Sequence, residues 1–525
     1  MPTRLVSASV KAPGFYGLNT QVSSSGLNMT WATFADNLVF DEGGTMRTRN
    51  GWDSVPSTAF TTDDITTLGE YRKNSTTEYL IAAANKKLYV SSTTTLIHDT
   101  WTDRTGTITT PTADYWQFVN HNGEVVGFQA AHVPCYYTGT GNFANLSAKA
   151  GYAAPDSSMA FGNNGLSAYG RVWSSDSTNT ILLWSALGTN HQWSTASGGG
   201  FADLKITANA FANGIDKIKA LAVFQNNLIV FGKRSILILA GADDPNNNLQ
   251  ITDTITGMGC IARDTVAHTG GDILFLDYTG VRSLGRAIVT QSVTQSDVSV
   301  NVHDDIAVNV LVDKANAFKN IRATYLPTKG FYLLIGSSSA IWCLDLKNPL
   351  DQGQARVTTW SNLAINDALV TNDELYFGFD GGYVGRYAGY DDNTSGYSFT
   401  YRSSWMDFDT TNVKIPKKLR VTYADGDNQI VQQCVAFDFA EYKSSCFLKQ
   451  INANMLSSSE WSVSEWGIAE WGPPTDAYTD VMGNVGHYGH HLQVQVFGSI
   501  DETLNTTGVG IQYIELQVKV GRVSR

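Results

Sequence analysis

Along the first four fifths of the chain a short apolar run, a polar or glycine-containing turn and a second apolar run recur as one unit. The unit appears as TEYLIAAANKKLYVSS from Thr77, GEVVGFQAAHVPCYYTG from Gly123, RVWSSDSTNTILLWSALG from Arg171 and KALAVFQNNLIVFGKRSILILAG from Lys219. It returns as GDILFLDYTGVRSLG from Gly271, KGFYLLIGSSSAIWCLDL from Lys329 and DELYFGFDGGYVGRYAG from Asp373. Each copy reads as a β-hairpin, and a spacing of about 50 residues is the period of four-stranded propeller blades. Ile273 to Leu276 and Tyr332 to Ile335 are apolar at every position, as in strands covered on both faces by neighbouring blades. The pattern predicts an all-β fold with a β-propeller-like array of hairpins, the N-terminal strand being a candidate to close the ring. In the longest interval, HDDIAVNVLVDKANAFKNI predicts a short helix capped by Asp304 or Asp305 and carrying Ile306, Val310 and Phe318.

After about Tyr401 the texture changes to strict alternation: Leu419, Val421, Tyr423; Leu492, Val494, Val496; Ile514, Leu516, Val518, Val520. The intervening Arg420, Thr422, Gln493, Gln495, Glu515, Gln517 and Lys519 are expected to face solvent, which predicts a β-sandwich with one buried face per strand. The ADGD stretch at Ala424 to Asp427 suits a hairpin turn within it. The expected organisation is therefore residues 1–60 as N-terminal strands joining propeller or platform, 61–400 as propeller, and 401–525 as a sandwich or platform domain.

Composition sharpens this picture. Charged residues make up only 16% of 525, which argues against disorder and against a solvated helical bundle, while 48 glycines suit many turns. A formal charge of −12 opposes nonspecific adhesion to DNA or anionic membranes. Met1 to Gly26 lack the features of a signal peptide, and no apolar run is long enough to span a bilayer, so the expectation is a protein made in a cytosol and not inserted in membranes. Cys135, Cys260, Cys343, Cys434 and Cys446 are scattered without a C-x-x-C pair and read as buried small apolar residues rather than as a disulfide framework or zinc site.

Candidate chemistry is sparse. No P-loop, dinucleotide fingerprint, H-E-x-x-H or G-x-S-x-G occurs. SSDSTNTI from Ser174 approaches the sialidase Asp box but has Thr178 for glycine and Ile181 for tryptophan. The acidic pairs Asp63/Asp64, Asp243/Asp244, Asp304/Asp305 and Asp391/Asp392 read as solvated loop acids rather than general acid/base pairs. His487, His490 and His491 form GHYGHH, but Gly486 and Gly489 deny them a fixed helical spacing, so a polar edge or subunit contact is preferred over a metal site. In SSEWSVSEWGIAEWG, Trp461, Trp466 and Trp471 recur every five residues, a period of neither helix nor strand, and read as anchors for a subunit interface or for the chain's own sandwich. No catalytic residue, cofactor or metal is assigned.

The segment from Phe15 to Val55 resembles the opening of the tail nozzle proteins of short-tailed bacteriophages, also called tail tubular protein B or packaged-DNA stabilisation proteins. The matching elements are Gly17-Leu18, Asn37-Leu38 in an apolar strand, a Gly43-Gly44 turn, and Arg47-Thr48-Arg49-Asn50-Gly51-Trp52. The resemblance continues through the hairpin array, SSWMDFD at Ser403 to Asp409, KIPKKLRV, the triple-tryptophan segment and the closing KVGRVSR. It implies a ring of six subunits at the distal end of a virion tail, below an adaptor protein and supporting fibres or spikes. It also implies retention of packaged double-stranded DNA, which passes through the lumen without sequence recognition. Asn37, Arg47, Arg49, Gly51 and Trp52 are expected to be structural. The alternative is a glycan-binding or glycan-cleaving phage tail propeller, an adhesin or depolymerase.

Overall fold

The computed structural model describes residues 5–521 apart from 42, 57, 75–76, 93–98, 109–110, 112–114, 131, 338–339, 427–428, 452–477 and 501–507. Among them, seven antiparallel blades follow one another around a wheel. Every predicted hairpin supplies adjacent strands of one blade, as with Thr77–Ala84 and Lys87–Ser91 in the first and Glu374–Phe379 and Val384–Tyr387 in the last. Ile273–Asp277 and Phe331–Ile335 are buried at every position, as expected of strands sandwiched between blades.

The wheel is closed by an exchange of strands. The outermost strand of the last blade is Trp52–Ser54, which pairs antiparallel with Val384–Tyr387, so the beginning and end of the array share one sheet. The fifth blade has three strands, and the interval after it forms two helices, Leu284–Thr290 and His303–Val312. Ile306 and Val310 are buried beneath the second helix as predicted, but Val302 is its N-cap without a side-chain cap bond. Asp304 and Asp305 occupy its first turn instead, where their charge suits the helix dipole, and Phe318 lies beyond its end at a left-handed φ of 62°.

The second body is a sandwich of two sheets. One holds Leu5–Lys11, Leu38–Phe40, Met46–Thr48, Lys414–Asp425, Tyr478–Asn484 and Val509–Val520. The other holds Gly17–Leu18, Trp31–Asp36, Tyr397–Ser403, Ile430–Phe437, Ala440–Gln450 and Leu492–Ile500, and continues into the sixth blade through the pairing of Gly17 with Val357. Residues 5–48 thus belong largely to the platform, and its strand Tyr397–Ser403 begins before residue 400. A single apolar cluster fills the space between the sheets, including Phe15, Leu38, Tyr401, Leu419, Val494 and Leu516.

Three expectations are corrected. Gln493 and Gln495 are buried, not solvated: Gln493 donates to Ser403 O and Thr33 Oγ1, and Gln495 donates to Gln493 Oε1. The turn at Ala424–Gly426 joins strands of opposite sheets rather than a hairpin, with Asp427 outside the described residues. Cys434 and Cys446 stand directly opposite on adjacent strands and form a disulfide, because hairpin register rather than motif spacing brings them together. Cys135, Cys260 and Cys343 are buried thiols as expected.

Candidate functional site

Asn37 is the residue at which the chain leaves one platform sheet for the other, between Trp31–Asp36 and Leu38–Phe40. It is fully buried at φ 56°, a left-handed conformation that asparagine tolerates better than most residues. Its N–H donates to Thr359 O (2.8 Å), and its side-chain amide donates to Ser398 O (2.8 Å) and Ser361 Oγ (3.2 Å). Its side-chain oxygen accepts from Arg49 Nε (2.9 Å) and Ser361 N (3.1 Å). One asparagine therefore ties the sixth blade to the platform.

Arg49 is 1% exposed and places its guanidinium 4.1 Å from the Tyr397 ring centroid. Burial opposes its charge, but the hydrogen bond and charge of Asp392 outweigh burial and keep it firmly protonated. The pair is bidentate, with Nη1 to Oδ1 at 2.8 Å and Nη2 to Oδ2 at 2.6 Å. Asp392, its side chain 11% exposed, is thus a latch on the buried Arg49 rather than the solvated loop acid expected from sequence. Asp36 completes the cluster, accepting from Ser361 Oγ and from Thr359 Oγ1 (3.0 Å); burial raises its pKa above the usual carboxylate value despite those bonds.

Of the rest of the sequence pattern, Gly51 and Trp52 meet at the same place. Arg47 instead bonds Asp425 at 2.6 Å, tying Met46–Thr48 to Lys414–Asp425 within one platform sheet. At Gly51 a Cβ would lie 1.7 Å from the carbonyl oxygen of Asp391, so the two chain segments cross only because this residue has no side chain. Trp52 then stacks on Phe379, with ring centroids 4.0 Å apart, as the wheel's closing strand begins. Asn37, Arg49, Gly51 and Trp52 therefore line one joint between wheel and platform, while Arg47 is held within the platform.

A second polar cluster fills the wheel's axis. Arg263 donates to Asn163 O (2.5 Å) and Trp116 O (2.9 Å) and chelates Asp264, while Arg322 also bonds Asp264 and lies over the Tyr115 ring at 4.1 Å. Arg263 and Arg322 together hold the half-buried Asp264 carboxyl below its ordinary pKa despite desolvation. Asp367 Oδ2 accepts from Leu68 N at 2.7 Å, linking the last blade to the first; burial pushes its pKa up to about 6. At one end of this plug opens a cavity of about 260 Å³ lined by Tyr115, Phe161, Lys219 and Phe318 among others.

The other sequence candidates do not converge. Asp176, in the Asp-box-like turn, spends both oxygens on Thr178, Thr180 and Ile181 of its own turn. His490 and His491 donate backbone N–H groups to Asp438, and among the described residues no group of three metal-ligating side chains is assembled. Trp461, Trp466 and Trp471 lie outside the described residues. Sequence reading missed the axial residues Arg263, Asp264, Arg322 and Asp367, for which the only local signal is the adjacent Arg263-Asp264.

No family model matches the chain, and no curated protein matches it. Among solved structures it is similar to the WD40 domain of Neurospora crassa Pan2, with 9% identity over 65% of this chain and 96% of that one at a TM-score of 0.37. It is similar to the WD40 β-propeller domain of Doa1, with 11% identity over 64% and 96% at 0.38. It is also similar to PorZ, a surface component of the type-IX secretion system of Porphyromonas gingivalis, with 12% identity over 77% and 46% at 0.35. At these TM-scores the likenesses carry no inference about activity.

Proposed function

We propose that the chain is a structural, non-enzymatic part of a short phage tail, a nozzle in which six copies surround a passage that retains packaged double-stranded DNA and releases it at infection. The observation that carries this reading is the convergence of Asn37, Arg49, Gly51 and Trp52 on one buried joint. These are among the residues through which the sequence resembles the nozzle family, and each has a mechanical role at the joint.

The filled axis supports the same reading. With Arg263, Asp264, Arg322 and Tyr115 across the middle of the wheel, a duplex travels between copies rather than through one, and a passage then requires a ring. A charge of −12 favours sliding of DNA over ion pairing with its phosphates. In this proposal the adaptor lies above the ring and fibres or spikes beside it. Trp461, Trp466 and Trp471 anchor neighbouring subunits, and the protein is made in the host cytoplasm and resides in the virion.

Light scattering and negative-stain imaging of the purified chain, alone and mixed with its tail adaptor, test the proposal. Six-fold rings in either condition are expected. Monomers in both, or release of sugar from host polysaccharide by the purified chain, would overturn it.

A further inference from the structure

The axial cavity has a chemistry that the joint and the plug do not use. It lies where inner strands begin: Tyr115 precedes Trp116–His121, Phe161 opens Phe161–Ala168, and Lys219 precedes Ala220–Phe224. Tyr115, Phe161, Ile218, Ile261 and Phe318 give it apolar walls within about 260 Å³, room for one sugar ring or a ligand of that size. Arg263 and Asp264 also line it, but they neutralise each other and are bound into the plug.

Lys219 differs from them. It is half-buried, it lines the cavity, and no carboxylate among the described residues lies within ion-pair distance of it. Burial lowers its pKa, helped by Lys233 and Lys217 and opposed by Cys260 and Asp216, so its charge is held at a cost that an incoming anion would relieve. The side chains of Asn163 and Ser177 line the same cavity and have no hydrogen-bond partner among the described residues. Lys319 and Asn179 also line the cavity but have partners of their own; Lys219, one amide, one hydroxyl and aromatic walls match a ligand with one negative charge, hydroxyl groups and an apolar ring face.

We propose that this cavity binds an acidic monosaccharide unit, with Lys219 meeting its carboxylate, Asn163 and Ser177 its hydroxyls, and Tyr115, Phe161 and Phe318 its ring. The site does not rest on the nozzle reading, since a ring and a monomer would carry it alike.

Calorimetric titration of the full chain with glucuronate, glucose and acetate tests it. Glucuronate is expected to bind at least about tenfold more tightly than either, the scale of one charge-assisted hydrogen bond. Lys219→Met is expected to weaken glucuronate about tenfold at an unchanged melting temperature, Lys219→Arg to keep most of the affinity, and Asn163→Ala to lose part of it. Absence of glucuronate binding, acetate binding as tightly as glucuronate, or unchanged affinity in both Lys219→Met and Asn163→Ala would overturn the proposal.

Discussion

Arg49 and Asp392, 343 residues apart in the chain, meet in two parallel hydrogen bonds of 2.8 and 2.6 Å, a buried pair that holds the end of the propeller array against the N-terminal hairpin of the platform. Removing one partner strands the other's charge. Arg49→Met is expected to cost about 3–5 kcal/mol. Arg49→Lys should recover little, because an ammonium cannot reproduce the fork. The double change Arg49→Met with Asp392→Leu should recover much of the loss, because no charge is then left buried. Denaturant melts of the four proteins check this; an Arg49→Met protein as stable as wild type would remove the pair from the account.

Gly51 makes a sharper test of the crossing at the joint. A Cβ there meets the Asp391 carbonyl oxygen, which belongs to backbone and cannot swing aside. Gly51→Ala is expected to destabilise by about 3 kcal/mol. It should also speed amide exchange in Val384–Tyr387, which pairs with the closing strand Trp52–Ser54. Hydrogen exchange that quickens only in remote blades would contradict the closure described.

Asp367 gives the wheel a pH signature. Its folded pKa of about 6 lies above its ordinary value of 3.8, so the folded state binds the proton more tightly, and stability from this group falls as pH rises through that interval. Asp367→Asn does not titrate. Its stability relative to wild type should therefore improve by up to about 3 kcal/mol between pH 4 and pH 7, even though the amide loses one backbone hydrogen bond at every pH. A difference that stays constant with pH would show that the carboxylate is not buried as described.

The cysteines partition into one pair and three thiols. Burial pushes the Cys135 and Cys260 thiols up to about 12 and Cys343 well above its ordinary value, so none is a ready nucleophile. A thiol reagent should find almost nothing in the folded protein and three thiols after denaturation without reductant. Five would mean that Cys434 and Cys446 are not joined.

Much of the wheel was legible because each blade carries its own apolar hairpin, and two central strands reveal a blade even when its outer strands are short. The closing strand was barely legible: Trp52–Ser54 is three residues long, and only its pairing gives it meaning. Alternation located the sandwich strands but misassigned Gln493 and Gln495, because a polar side chain that satisfies its hydrogen bonds with Ser403 and Thr33 is as compatible with burial as an apolar one. The joint was half visible. Asn37, Arg47, Arg49, Gly51 and Trp52 stood in one pattern, whereas Asp392 sat in a polar turn like many others, and its partner lay hundreds of residues away. The axial plug was invisible for the same reason, since Arg263, Asp264, Arg322 and Asp367 converge only when the blades close into a ring.

Cryo-electron microscopy of the parent particle tests the central claim most directly. The account predicts six copies around the tail axis, with each wheel's own axis filled and displaced from the DNA path, so that the duplex runs between subunits. Density for this chain on side fibres or in the capsid, or a duplex threading the middle of a single wheel, would contradict it.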